Sequence, residues 1–148
     1  MLSKEIVLDS NKINVLLLGS TGRLGRNIFS EIKNKKEFNL TTAGRAHNLS
    51  IDCELDISNK DGIRDLIEKV KPNIIINCIA LTNVDYCESN QDQAYKINYL
   101  FPKDLSRILN KINENIKLIH ISTDQVYISN NWSVVGKEMP LNIYSDSK

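Results

Sequence analysis

The sequence predicts an α/β fold built on a parallel sheet of about five strands with helices on both faces. Three observations predict it. Short, almost wholly apolar runs recur along the chain, as strands buried on both faces of a sheet require. Between them lie stretches with apolar residues three or four apart, the period of an amphipathic helix. The two patterns alternate throughout, which calls for βαβ units with right-handed crossovers.

The elements follow in order. "INVLLLG" (13–19) reads as the first strand, ending in glycine. Leu24, Ile28 and Ile32 predict a helix over roughly 23–36. "FNLTTAGR" (38–45) is a second strand and "IDCELDI" (51–57) a weaker third. Ser58-x-x-Asp61 resembles a capping box, followed by the helical stripe Ile63, Leu66, Ile67 and Val70, with Pro72 beyond its end. "NIIINCIA" (73–80) is a fourth buried strand. A polar stretch, 82–92, leads into a long helical pattern over about 92–113, which Pro102 is expected to kink. "KLIHIS" (117–122) is a fifth strand, and 125–141 has no period and reads as a long loop.

The chain has 148 residues, enough for one domain (1–148) with a core. A net charge of +1 gives no electrostatic case for nucleic acid or an anionic membrane. The apolar runs are too short to span a bilayer, and charges interrupt the N-terminal "MLSKEIVLDSNK", against a signal peptide. Cys53, Cys78 and Cys87 are an odd number without a close pair, so reduced thiols, a cytoplasmic location and no metal are expected.

The first strand runs directly into Gly19-Ser-Thr-Gly22-Arg-Leu-Gly25 and then a helix. This is the context of a Rossmann-type dinucleotide-binding turn in a doubly wound sheet. Gly19 would turn the chain off the strand, Gly22 would let a pyrophosphate approach the backbone, and Gly25 would let helix and sheet pack closely. The helix N-terminus would meet the anion with free N–H groups. A glycine-rich connector is the plain alternative. Where an NAD site often carries Asp or Glu, this chain has Gly44-Arg45, so NADP(H) is favoured over NAD(H). Arg23 is a second candidate for the 2′-phosphate; either arginine could equally be a solvated surface charge. Asp56 could accept from an adenine amine or cap the next helix.

"INCIALTNVDYCES…AYKIN" and "HISTDQVY…PLNIYSDSK", with the glycine turn, resemble the extended short-chain dehydrogenase/reductase superfamily, and within it the dTDP-4-dehydrorhamnose reductase branch. The resemblance covers about residues 13–148. It implies NADPH-dependent reduction of a dTDP-4-keto-6-deoxy sugar, with Thr123, Tyr144 and Lys148 as the catalytic group. Tyr144 would give the proton, Lys148 would lower its pKa and hold the nicotinamide ribose, and Thr123 would bond the substrate oxygen. The cofactor residues implied are Gly19, Thr21, Gly22, Arg23, Leu24, Gly25, Arg45, Asp56, Ile57, Asn77, Ala80, Asn98, Tyr144 and Lys148. Thr82, Asn83 and Asp85 would join Thr123 on the substrate side. Asn98 sits on an apolar stripe and would order the site, or else bond local backbone near Pro102.

Tyr99-x-x-x-Lys103 repeats the Tyr–Lys spacing without the flanking motifs; it reads as coincidence, with Tyr99 a packing residue. His120 reads as a packed core histidine, and His47 lies in a polar loop. Ser145 stands where the branch usually has glycine, and "ISNN" replaces a glycine expected after "VY". The resemblance also implies a further C-terminal region for the sugar nucleotide, so the domain is expected to be truncated before it, with a homodimer or a partner supplying what is missing. A non-catalytic NADP-binding subunit like the methionine adenosyltransferase β subunit, an inactive fragment, and a sugar-nucleotide epimerase or dehydratase are the alternative expectations.

Overall fold

The computed structural model describes residues 8–45, 51–127 and 140–148. His47, "ISNN" and most of the expected 125–141 loop lie outside them. Among the described residues five parallel strands form one sheet in the order β3-β2-β1-β4-β5. They are β1 (Ile13–Leu18), β2 (Phe38–Gly44), β3 (Cys53–Glu54), β4 (Ile74–Asn77) and β5 (Lys117–His120). Helix α1 (Arg23–Ile32) links β1 to β2, and α2 (Lys60–Val70) links β3 to β4. Four helical pieces separate β4 from β5: α3 (Val84–Ser89), α4 (Gln91–Tyr95), a π-helical turn (Lys96–Leu100) and α5 (Phe101–Ile112). A 3₁₀ turn (Asp124–Val126) follows β5, and α6 (Ile143–Asp146) closes the described chain.

The strand reading rests on two-sided burial, and β1 shows it. Leu16 and Leu17 point to opposite faces yet are 1% and 0% exposed. Leu16 and Leu18 pack with Ile63, Ile67 and Val70 of α2 and with Phe101, Leu105 and Leu109 of α5. Each such buried aliphatic or aromatic side chain contributes about 1.5–3 kcal/mol. The stripe expected on α1 is weaker: Leu24 is 43% exposed, at the helix mouth rather than in the core.

Three local details correct or extend the sequence reading. The cap of α2 is Asn59, whose side chain accepts the Gly62 N–H; Ser58 bonds Asp56 instead. The polar stretch 82–92 is largely helical. Asn83 caps α3 by accepting the Tyr86 N–H, and Asp85 adds a carboxylate to its first turn. The disturbance before Pro102 is a π turn, with Phe101 N–H donating to Lys96 O. In a regular helix Pro102 would clash with the Asn98 carbonyl; widening the preceding turn relieves that clash and keeps the helix running.

Register places the functional edge. Ala43 and Asn77 stand opposite Leu18 on either side, and His120 stands opposite Asn77. The carboxyl ends of β2, β1, β4 and β5 therefore form one row. Chain order reverses between β1 and β4, the position at which open α/β sheets form a ligand crevice.

Candidate functional site

The glycine turn leaves β1 at that reversal. Gly19 has φ +80°, a region that favours glycine, and a Cβ there would stand 3.0 Å from the Ile79 nitrogen. Gly25 is tighter: its Cβ would lie 2.1 Å from the Gly19 carbonyl oxygen. Gly22 differs. Its backbone is ordinary extended (φ −72°, ψ 169°), and a Cβ would meet only the Gly19 oxygen, at 3.5 Å. Thus Gly19 and Gly25 are required by the fold, whereas Gly22 leaves open space above the turn. No side chain caps α1, so its first amides are unclaimed by side chains. Ser20 is 6% exposed, and its Oγ is buried without a hydrogen-bond partner. Thr21, Arg23, Leu24 and Arg45 are exposed around this mouth.

Beside the turn, Asn77 ends β4 with no exposure. Its Oδ1 accepts the Ile79 N–H at 3.0 Å and its Nδ2 lies 3.2 Å from His120 Nδ1. The amide is thereby committed to joining β4 and β5. His120 is half-buried, and its Nε2 has no partner. Burial lowers its pKa, and the Lys148 charge lowers it further. Ala80 is half-buried; Thr82 and Asn83 are exposed, with Asn83 engaged as the α3 cap.

Lys148 reaches the same edge: its Nζ donates to Ile121 O at 2.6 Å, just beyond β5. Burial pulls its pKa below the usual lysine value, with Cys78 opposing. Burial in turn pushes the Cys78 thiol up, with Lys148 opposing. Tyr144, one turn earlier, is half-buried on α6, which packs against the 3₁₀ turn after Thr123. Thr123 Oγ1 accepts the Gln125 N–H at 3.3 Å and so starts that turn. The chain thus brings the segments carrying Thr123, Tyr144 and Lys148 together at the ends of β4 and β5.

Asn98 is 1% exposed on the π turn and ties this assembly together. Its Oδ1 accepts the Leu81 N–H at 2.8 Å; its Nδ2 donates to Leu81 O and to Ser147 Oγ, each at 3.0 Å. Its amide is spent on protein groups, tying the segment after β4 to Ser147 at the end of α6. Ser145, the departure from glycine, is 1% exposed and forms a reciprocal capping box with Asn142. Sequence reasoning missed two further tethers of α6. Glu88 Oε1 accepts the Ile143 N–H at 2.8 Å, and the Tyr95 hydroxyl donates to Asp146. These join residues about fifty positions apart, beyond the reach of any local pattern.

The second Tyr–Lys spacing forms a real pair, which corrects one reading. Lys103 Nζ donates to the Tyr99 hydroxyl at 2.7 Å, but Tyr99 is 46% exposed and not a packing residue. The Lys103 hydrogen bond lowers the Tyr99 pKa.

After β3, Asp56 accepts from Ser58 N and Oγ at 2.9 and 2.6 Å, and these bonds hold its carboxyl below the usual value. Asp56 and Ile57 line a cleft of about 430 Å³ with Gln93, Lys96 and Ile97.

Comparison with known proteins agrees with this arrangement. Residues 13–148 match the family described as the RmlD substrate binding domain. A dTDP-4-dehydrorhamnose reductase of Aggregatibacter actinomycetemcomitans is 35% identical over 90% of this chain and 44% of its own length. The methionine adenosyltransferase 2 subunit beta of Danio rerio is 31% identical over 90% of this chain and 41% of its own. The crystal structure of dTDP-4-dehydrorhamnose reductase from Bacillus anthracis in complex with NADP superimposes with a TM-score of 0.79 at 28% identity, covering 95% of this chain and 48% of that one. The chain spans about half the length of these relatives. With the match running from the first residue of β1 through Lys148, the chain belongs to the RmlD substrate-binding-domain family.

Proposed function

We propose that the chain binds NADP(H) along the carboxyl edge of its sheet and forms the cofactor-binding part of an NADPH-dependent reduction of a dTDP-4-keto-6-deoxy sugar. The observation that carries this reading is the contrast among the three glycines. Two are demanded by backbone contact, and the third leaves a gap in front of an uncapped helix N-terminus. An unpartnered, buried Ser20 Oγ beside that gap fits the same anion. The Asp56–Ile57 cleft fits the adenine end.

When bound, NADPH supplies the hydride; the remaining work falls to side chains. Tyr144 gives a proton to the substrate oxygen. Giving up that proton leaves a negative charge on the phenolic oxygen, which a neighbouring ammonium stabilises. Lys148, whose Nζ donates to Ile121 O, supplies that charge and holds the nicotinamide ribose. Thr123 bonds the substrate oxygen, and Thr82 and Asp85 face the sugar nucleotide. Arg45, with Arg23, donates to the 2′-phosphate.

Arg45→Ala tests the last assignment. Its NADPH affinity should fall about tenfold, the loss of one charge-assisted contact, with NADH affinity held within about twofold. Equal losses for both cofactors would remove Arg45 from the 2′-phosphate site. Isothermal titration with each nucleotide gives the comparison.

A further inference from the structure

We propose that Glu88 is a positioning residue for Tyr144 and Lys148, acting by holding the start of α6. The inference rests on the reading of those two residues given above. Helix α6 has 4 residues, too few to be stable by its own hydrogen bonds. Its orientation must come from outside. Its first-turn amides are divided between two acceptors: Ser145 N–H goes to the local Asn142 Oδ1 at 2.8 Å, and Ile143 N–H goes to Glu88 Oε1 at 2.8 Å. Only the second reaches across the fold, from α3.

An ionised carboxylate accepting a backbone N–H is among the stronger hydrogen bonds available to a protein. Glu88 is itself well held. Its neighbour Cys87 has no exposure and donates Sγ–H toward Leu81 O, which sets the rotation of α3. Tyr95 and Asn98 hold the other end of α6, at Asp146 and Ser147. Glu88 is exposed, and taken alone it would pass for a solvated surface carboxylate. The bond to Ile143 is what separates it from one.

The test compares Glu88→Ala, which removes the acceptor, with Glu88→Gln, which keeps a side-chain oxygen at the same place. Amide hydrogen exchange is followed by NMR in the 148-residue chain, and NADPH affinity is measured on the same samples. In Glu88→Ala, exchange at Ile143 and through α6 should accelerate about tenfold while the sheet amides are unchanged, and NADPH affinity should fall about fivefold. Glu88→Gln should restore both to within about twofold of wild type. Unchanged exchange at Ile143 in Glu88→Ala would overturn the inference. So would acceleration spread evenly over the sheet, or a Glu88→Gln variant indistinguishable from Glu88→Ala. The exchange measurement needs no cofactor. Local acceleration in a chain that fails to bind NADPH would uphold Glu88 as the clamp of α6 and overturn the cofactor reading instead.

Discussion

Gly25→Ala is expected to lower the thermal midpoint by about 6–12 °C, corresponding to a loss of about 3 kcal/mol or more. The cause is a single contact. The new methyl carbon would stand 2.1 Å from the Gly19 carbonyl oxygen and 2.9 Å from Ser20 Cα, all backbone atoms. No rotamer change relieves such an overlap; α1 must move away from β1 or the turn must open. Either change also spreads the amides at the helix start, so NADPH affinity should be lost together with stability. Gly44→Ala is the control. Its Cβ would meet Ile51 Cγ2 at 3.8 Å, ordinary van der Waals contact, and its midpoint should stay within about 2 °C of wild type. Circular dichroism of the two variants checks this. A Gly25→Ala chain as stable as Gly44→Ala would mean that the turn does not pack as described.

On the function proposed above, Tyr144→Phe is expected to reduce keto-sugar reduction by about 10²–10⁴-fold at saturating NADPH, the range for loss of a general acid, with NADPH affinity within about twofold. Only the hydroxyl is removed. The capping box of Asn142 and Ser145 and the bonds to Glu88 and Asn98 do not involve it, so α6 and Lys148 should stay in place. Tyr99→Phe should keep the wild-type rate, although Tyr99 also carries a lysine partner. Initial rates of NADPH oxidation with a dTDP-4-keto-6-deoxy sugar measure both. A wild-type rate in Tyr144→Phe, or an equal loss in Tyr99→Phe, would contradict the assignment of the proton donor.

The parts of the site legible in the sequence are those set by local constraint. The glycine turn is written in seven consecutive residues, of which Gly19 and Gly25 answer steric demands within that turn. The strands announce themselves because Leu16, Leu17 and Ile75 are buried on a sheet covered on both faces, leaving no room for polar alternation. The failures have equally physical causes. Helix α3 has one real start signal, Asn83 followed by Asp85, but it is too short for an apolar stripe to show. Ser58 offered a more familiar cap than Asn59, yet Asp56 takes its hydroxyl first. Pro102 predicts a kink, where the structure has a π turn at 96–100, because sequence shows the proline and not how the preceding turn absorbs it. Glu88, Tyr95 and Asn98 converge on α6 from three separate segments, and such convergence exists only after folding.

The central claim is that the gap above Gly22 receives the cofactor pyrophosphate. Fluorescence titration of NADPH into the wild-type chain and into Gly22→Val tests it most directly. A Cβ at 22 meets only the Gly19 oxygen, at 3.5 Å, and the extended φ there is open to any residue, so the fold should survive the change. The expected result is saturable binding to wild type and at least about a hundredfold weaker binding to a folded Gly22→Val, because the side chain fills the space the anion needs. No binding by wild type at about millimolar NADPH, where even a weak complex of about −4 kcal/mol would register, or equal binding by both chains, would contradict it.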